Sequence, residues 1–341
     1  MPWVADRLRN CEETGALAAR MALTGGPRPT EIVTPAAIRN AQRVLLAVSG
    51  STNAVIHMAA VAGRIGMKLD LDDFNCLSDQ TPVLVDLKPV GAGYMEDFHY
   101  AGGLEGVLRE IAPQLETGTR SITGQTLADR LSQPLADPID RVVIREAQTP
   151  ISPVGGLIAL RGSLAPDGAI LKRAAATEAL LEHEGRAVVF TSLEDLAARI
   201  DDPDLDVTAD DILVLQNAGP KSPSGMPEAG YLPIPKKLAQ AGVKDMVRIS
   251  DARMSGTAFG TIVLHVSPEA AVGGPLALVR NGDRIRLSAR EKRIDLLVDT
   301  ETLTQRGGQV VLGSHAPERG YARLYHEHVL SASDGCDFDF L

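Results

Sequence analysis

The chain has 341 residues, more than a single hydrophobic core usually supports, and its 44% hydrophobic and 23% charged residues are typical of a globular protein. Its formal net charge of -10 argues against a nucleic-acid partner, because phosphate binding requires a basic surface. No uncharged apolar stretch reaches the roughly 18 residues of a membrane span, and the amino terminus lacks a signal-peptide pattern. We therefore expect a cytoplasmic protein of two domains that acts on a small molecule.

The first part of the chain has helical spacing. Apolar residues recur at helical intervals over residues 12–23 and 39–48, and a further helix is predicted over residues 54–66. Ser51 or Thr52 would begin this further helix, where a hydroxyl oxygen can accept a hydrogen bond from a free backbone amide. The same amides, together with the helix dipole, can hold an anion. Plain capping and anion binding both stand as interpretations of these two residues.

Strand patterns begin at residues 82–87, an apolar run that predicts an α/β layer. From about residue 147, short apolar runs are separated by glycine and proline, which favours a second domain with a mixed or barrel-like sheet. The strands predicted there cover residues 156–160, 187–190, 212–215, 246–249, 261–265 and 284–287. We place the domain boundary within residues 138–153. The predicted fold is α/β, with a β-rich second domain that is barrel-like or a swivelling β/α unit.

The loop that follows the predicted strand 212–215 contains the first candidate for catalysis. Residues 217–228 are rich in glycine, proline and serine, a composition that suits a rigid loop at a strand end. Glu228 closes this loop, and its carboxylate could ligate a hard cation such as Mg²⁺. The alternative is that Glu228 is an exposed loop charge.

A second candidate follows the predicted strand 246–249. The segment 250–257 is rich in small and hydroxyl residues, and Ser255 precedes a glycine that allows a sharp turn. A serine is a poor base unless a cation or a buried charge lowers its pKa, so a structural turn is the alternative. Asp251 and Arg253 would fix the geometry of this loop through charge-assisted hydrogen bonds.

The cysteines and histidines give no metal-binding pattern. Cys11, Cys76 and Cys336 lack the spacing of a zinc site or a disulfide framework, so we interpret them as ordinary thiols. His326 and His328 would share a face on a strand, but the surrounding pattern predicts a helix, on which they diverge by roughly 200°. We expect no metal site at these histidines.

Taken together, these loops resemble the dihydroxy-acid, phosphogluconate and sugar-acid dehydratase family. The resemblance spans essentially the whole chain, and several motifs occur in one order. The matching segments are residues 51–55, 82–89, 95–103, 161–168, 225–228, 250–256 and 268–271. The resemblance implies a hydro-lyase that converts a 2,3-dihydroxy acid to a 2-keto-3-deoxy acid.

The resemblance also implies cofactors and residue roles. Family members use Mg²⁺ and an iron–sulfur cluster of the 2Fe–2S or 4Fe–4S type. Carried over to this sequence, Glu228 is a Mg²⁺ ligand, Ser255 is the base that removes the C2 proton, and Thr257 orients that serine. Ser51 and Thr52 are candidates for substrate binding.

Two segments favour one branch of the family. Residues 248–255 and the ending 335–341 are more similar to the sugar-acid branch, so the resemblance implies an aldonate such as arabinonate or xylonate. The alternative is the dihydroxy acid of branched-chain amino-acid biosynthesis. By resemblance the protein would also form a homo-oligomer, either a dimer or a tetramer.

The sequence departs from the family in what it lacks. An upstream family segment carries the cluster cysteines, further Mg²⁺ carboxylates and a modified lysine, and this chain's own cysteines lie outside those motifs. Smaller departures occur at Ser49, Ser163 and residues 222–224. We expect residues 1–142 to be the later part of the family's α/β domain and residues 143–341 its β-rich domain. The chain is then a hydro-lyase completed by a missing half, or a truncated fragment without activity.

Overall fold

The computed structural model describes residues 2–135, 137–226, 232–254, 259–310 and 316–341. Helices dominate the part before residue 135 and confirm the three predicted there. In chain order the helices in this part are α1 Pro2–Thr24, α2 Pro29–Ile32, α3 Pro35–Ala47, α4 Asn53–Gly63, α5 Leu71–Gln80, α6 Met95–Tyr100, α7 Gly103–Glu110 and α8 Leu127–Ser132. The described helices of the chain include none long and apolar enough to span a membrane.

Helix α3 shows why this part folds as it does. Thr34 caps the helix by accepting a hydrogen bond from the Ala37 amide at 3.2 Å, and Pro35 occupies the first helical position. The apolar side chains of Ile38 and Leu46 recur at helical spacing and are buried. The cap begins the helix, and burial of this one face holds it in place.

The prediction of a strand over residues 82–87 is wrong, although the burial of most of these residues is confirmed. Within this described segment Val83 makes only an isolated bridge to Ser152, and Val85 makes only an isolated bridge to Ile144. The apolar pattern is satisfied because Leu84 and its neighbours are buried among the helices rather than in a ladder. The pattern predicted burial correctly, but burial does not require a strand.

The later part of the chain is built on a mixed sheet, which confirms the predicted α/β fold with a β-rich unit. Within the described residues the sheet has eight strands in the order β1-β2-β6-β5-β4-β3-β7-β8. The strands are β1 Ile158–Leu160, β2 Gly168–Leu171, β3 Glu182–Phe190, β4 Ile212–Leu215, β5 Arg248–Ser250, β6 Ile262–Ser267, β7 Arg284–Ser288 and β8 Arg293–Leu296. Strands β3, β4, β5 and β6 pair in parallel. The sequence predictions missed β2 and β8.

The sheet is nearly closed into a barrel. Arg161, directly after β1, forms a parallel bridge to Arg293 at the start of β8, so the two edge strands approach one another. A backbone hydrogen bond of 3.0 Å joins the Ile294 amide to the Arg161 carbonyl. Inward-facing apolar side chains such as Val214 and Val263 fill the interior.

Helices pack on the outside of β1 and β2, so the two parts of the chain share a core. Phe74 of α5 lies in one buried cluster with Leu157 and Ile170. The side chain of Asn75 exchanges two hydrogen bonds of 2.9 Å with the backbone of Ala159 in β1. The division at residue 142 remains a prediction.

The remaining described helices connect or follow these strands. They are α9 Leu193–Arg199, α10 Lys236–Gln240, α11 Thr300–Gly307 and α12 Gly320–His328. Helix α12 confirms the helical pattern predicted around residue 325. On it, His328 contacts Asp339 rather than His326, with 2.8 Å between Nδ1 and Oδ1.

Candidate functional site

Three neighbouring parallel strands end at the same edge of the sheet, and a polar residue follows each of them. Asn217 follows β4, Asp251 follows β5 and Glu269 follows β6. The carboxyl ends of parallel strands are where ligands bind in open α/β sheets. This edge is therefore the candidate functional site.

The loop after β4 is compact and largely buried. Asn217 and Met226, at its two ends, both have left-handed backbone conformations with φ of 55° and 53°. Inside the loop the Ser222 hydroxyl donates a hydrogen bond of 2.6 Å to the Gly219 carbonyl. Loop 217–226 leads directly to Glu228, which lies outside the described residues.

The loop after β5 is fixed by a fully buried carboxylate. Asp251 Oδ1 accepts a hydrogen bond of 3.0 Å from the Ala218 amide, and Oδ2 accepts one of 2.9 Å from the Ala270 amide. Burial raises the pKa of Asp251 to about 6, although these amides oppose the shift. Asp251 thus joins three strand-end loops through backbone amides. Its proposed support of activity remains a prediction, and Ser255 and Thr257 lie outside the described residues.

Glu269 is a site residue to which the sequence reasoning assigned no role. It is 3% exposed, and both of its carboxylate oxygens lie 3.0 Å from the Lys221 amide. Burial raises its pKa to about 8, with a further contribution from the charge of Asp251. The segment 268–271 had matched the family only as a motif. The available signal was a carboxylate placed two residues after a mainly apolar strand.

Helix α4 meets these loops at a cavity. Ile56 packs with Met226 in one buried cluster. A cavity of about 340 Å³ opens beside them. It is lined by Ile56, His57, Ala60, Gly225, Met226, Arg253, Tyr325, Gly335, Cys336 and Asp337. Met226 and Arg253, each two residues before a candidate residue, thus border one space, whose volume is at the lower end of ordinary small-molecule pockets.

Ser51 and Thr52 lie just before α4, at the end of the helix nearer to Ile56. Thr52 is the N-cap residue, but its side chain makes no capping hydrogen bond. Ser51 Oγ instead accepts a hydrogen bond of 3.2 Å from the Asn53 amide. Capping by Thr52 is therefore corrected to a local turn formed by Ser51, and substrate binding by either residue remains a prediction.

The carboxyl-terminal segment forms one wall of the cavity. Arg64 at the end of α4 binds Asp337 with two hydrogen bonds, of 2.5 Å from Nε and 2.8 Å from the terminal nitrogen. Cys336 lies with its sulfur 3.4 Å from the sulfur of Met226. Burial raises the pKa of Cys336 to about 12, so this thiol carries no charge near neutral pH.

His265 is a second residue that sequence reasoning missed. It is buried, its backbone has a φ of 59°, and it lies at a register shift between β2 and β6. Burial, followed by the charge of Arg253, lowers the pKa of its imidazole to about 3. The side chain is therefore neutral at ordinary pH. A register shift of this kind commonly redirects a side chain beside a functional site.

A second cavity of about 640 Å³ lies at the carboxyl ends of β3 and β4. Its polar lining includes Ser192, Asn217, Lys221, Ser224, Arg280 and His326. Loop 217–226 therefore borders both cavities. This places His326 at a polar cavity rather than beside His328.

The described residues do not fit an iron–sulfur cluster. The part of the chain that the structure describes holds no group of three or more His, Cys, Asp or Glu side chains suited to a metal ion. Cys11 lies on α1, Cys76 lies on α5 and Cys336 lies in the carboxyl-terminal segment. Since cluster ligands must be thiolates brought together, these three do not supply them. For Mg²⁺, the one candidate ligand, Glu228, is outside the described residues.

Comparison with known sequences gives two family matches that together cover most of the chain. Residues 2–130 match the dihydroxy-acid/6-phosphogluconate dehydratase amino-terminal domain. Residues 142–336 match the carboxyl-terminal domain of the same family.

Curated relatives point to the same group of enzymes. The chain is 48% identical to L-arabonate dehydratase of Azospirillum brasilense over 92% of its own length and 55% of the relative's. It is 46% identical to 6-deoxy-6-sulfo-D-gluconate dehydratase of Pseudomonas putida, again over 92% of this chain and 54% of the relative. Identity to dihydroxy-acid dehydratase of Methanothrix thermoacetophila is 36%, over 97% of this chain and 60% of the relative. The chain spans about half the length of the curated relatives it matches.

Proposed function

Because this chain belongs to the dihydroxy-acid/6-phosphogluconate dehydratase family, we propose that it supplies one half of the active site of a hydro-lyase acting on a sugar acid. The observation that carries the proposal is the convergence at one cavity. Met226 and Arg253, which precede Glu228 and Ser255 by two residues each, both line it. This supports the proposal that the two loops, which come from neighbouring strands, bring the candidate residues to one place.

In the proposed reaction, Ser255 accepts the proton from C2 of the substrate. Loss of that proton and of the C3 hydroxyl, as water, gives an enol that becomes the 2-keto-3-deoxy acid. Thr257 orients the serine, and Glu228 is the ligand that this chain contributes to Mg²⁺. When bound, the cation would stabilise negative charge on the substrate's oxygens.

We propose an aldonate as the substrate. The support is a difference in sequence identity. The chain is 46% to 48% identical to relatives named for arabonate and sulfogluconate, but 36% to 38% identical to relatives named for dihydroxy acids. The second cavity also suits a polyhydroxy acid, since amide, hydroxyl and cationic groups line it. The branched-chain dihydroxy acid remains the alternative substrate.

The test is complementation. The chain would be co-produced with the cysteine-bearing amino-terminal segment of the Azospirillum brasilense relative and supplied with L-arabinonate, D-xylonate, D-gluconate or 2,3-dihydroxyisovalerate. We expect 2-keto acid from an aldonate only when both segments are present. A preference for 2,3-dihydroxyisovalerate would move the proposal to the branched-chain alternative. Absence of turnover with every acid, in a complex shown to contain iron and sulfide, would contradict it.

A non-catalytic fragment is the second candidate function. It is favoured by the described cysteines, which lie on separate elements and do not form a cluster site. Turnover of an aldonate, measured on the complemented complex after its iron and acid-labile sulfide have been determined, separates the two cases. A complex that contains iron and sulfide and dehydrates an aldonate would contradict the fragment hypothesis.

A further inference from the structure

We propose that Asp251 and Glu269 are positioning residues that together fix loop 217–226 and, through it, the placement of Glu228. Only the role of Glu228 rests on the proposed function. The fixing of the loop stands on contacts within the described residues, and its test does not require turnover.

The first part of the loop needs internal partners because it is buried. Residues 218–220 are all buried where the chain leaves β4, so the amides of Ala218 and Gly219 cannot rely on water, whereas Pro220 has no amide hydrogen. The Ala218 amide donates to Asp251 and the Lys221 amide donates to Glu269. Each of these donors is thus satisfied by a carboxylate that comes from a neighbouring strand end.

Gly219 shows how closely Glu269 approaches the loop. A Cβ atom at residue 219 would lie 2.2 Å from Glu269 Oε2 and 2.9 Å from Glu269 Cβ. No side chain fits in that space unless Glu269 moves away from the Lys221 amide. This glycine is required by a close approach rather than by a turn, because its own φ is not in the left-handed region.

The two carboxylates act as a coupled pair. The charge of Asp251 adds to burial in raising the pKa of Glu269, while the Lys221 amide lowers it. The charge of Glu269 in turn raises the pKa of Tyr325 and Cys336, after burial as the first cause, and both residues line the 340 Å³ cavity. The charge of Glu269 thus acts on two residues that line the cavity.

Hydrogen–deuterium exchange of the intact chain tests the proposal. In Glu269→Ala, peptides covering loop 217–226 should exchange roughly tenfold faster, as expected for loss of one buried hydrogen bond. Glu269→Gln keeps an oxygen that can accept from the Lys221 amide, so its exchange should stay near wild type. Gly219→Ala displaces Glu269 without removing it and should raise exchange in the same peptides.

Asp295→Ala is the matched control. Asp295 also accepts a hydrogen bond from a backbone amide, that of Ser163 at 2.9 Å. It lies on β8, at one end of the strand order. A role in overall stability alone would speed exchange in β3 as much as in the loop, and would do so in the control as well. That outcome, or unchanged loop exchange in both Gly219→Ala and Glu269→Ala, would overturn the proposal. If Glu269→Ala does not fold, Gly219→Ala decides.

Discussion

Asp245 and Arg248 form an ion pair at 2.9 Å, and both side chains are only 4% exposed. Asp245 also accepts hydrogen bonds from the Thr261 amide, at 2.9 Å, and from the Thr177 hydroxyl, at 2.8 Å. The network lies at the amino-terminal ends of β5 and β6, opposite to the candidate site. It therefore stabilises the sheet without taking part in the proposed chemistry.

Asp245→Ala should lower the free energy of unfolding by about 3–5 kcal/mol, because it leaves the buried charge of Arg248 without its carboxylate. Urea denaturation of the purified chain measures the change. Glu291→Ala, which removes the exposed partner of Arg286, is the control and should change stability by less than about 1 kcal/mol. Equal effects of the two substitutions would show that burial does not set the strength of the Asp245 pair.

Stability should fall as pH rises from 6 to 9. Glu269 has a pKa of about 8 in the folded chain against an ordinary value of 4.5, so between these values the folded state holds a proton that the unfolded state has lost. The contribution of this raised pKa to the free energy of unfolding is fully present below pH 4.5 and is lost as pH rises through 8. We expect a loss of about 1–3 kcal/mol over this range, measured by urea denaturation. Glu269→Gln cannot ionise and should flatten the profile; an unchanged slope would contradict the assignment.

The three cysteines should differ in reactivity. Cys11 and Cys76 are exposed, whereas burial raises the pKa of Cys336 to about 12. Because the thiolate is the reactive form, iodoacetamide at pH 8 should modify Cys336 at least roughly 100-fold more slowly than the other two. Peptide mass spectrometry measures the rates, and urea-unfolded chain, in which all three should react alike, is the control. Rapid modification of Cys336 in the folded chain would contradict the burial of its thiol.

Sequence reasoning predicted the strands that carry the site because their burial is continuous. The run 212–215 is β4 in full, and its four residues are buried on both faces. The same reasoning failed for residues 82–87, since a buried apolar run pairs as a strand only if a partner strand lies beside it. It also missed β2, in which Gly168 has a φ of 116° and breaks the strand pattern.

The candidate site was only partly predictable for a different reason. The two loops could be located approximately because each follows the end of a strand, and the local sequence pattern predicts where a strand ends. The role of Glu269 depends on contacts with Lys221 and Gly219, some fifty residues earlier in the chain. Neither periodicity nor composition reports a contact between residues so distant in sequence. For the same reason, the sequence suggested an Asp251–Arg253 pair but could not indicate that Asp251 binds the Ala218 and Ala270 amides.

Glu228→Gln should weaken the requirement for Mg²⁺ in the complemented enzyme. The amide keeps an oxygen but loses the charge that holds a hard cation. The Mg²⁺ concentration that gives half-maximal activity should therefore rise by roughly tenfold or more. Titration of the initial rate with Mg²⁺ gives the value. Glu291→Gln, at an exposed residue that lines neither cavity, is the control. An unaltered Mg²⁺ requirement would remove Glu228 from the metal site.

The turnover number of Ser255→Ala tests the central claim most directly. In the chain complemented with the cysteine-bearing segment and saturated with an aldonate, loss of the proposed base should lower kcat by roughly 100- to 10,000-fold. The circular dichroism spectrum and the iron content should match those of the unmodified complex. Ser132→Ala, at an exposed serine on α8, should leave kcat unchanged. A kcat for Ser255→Ala within about twofold of the unmodified enzyme would contradict the assignment of Ser255 as the base.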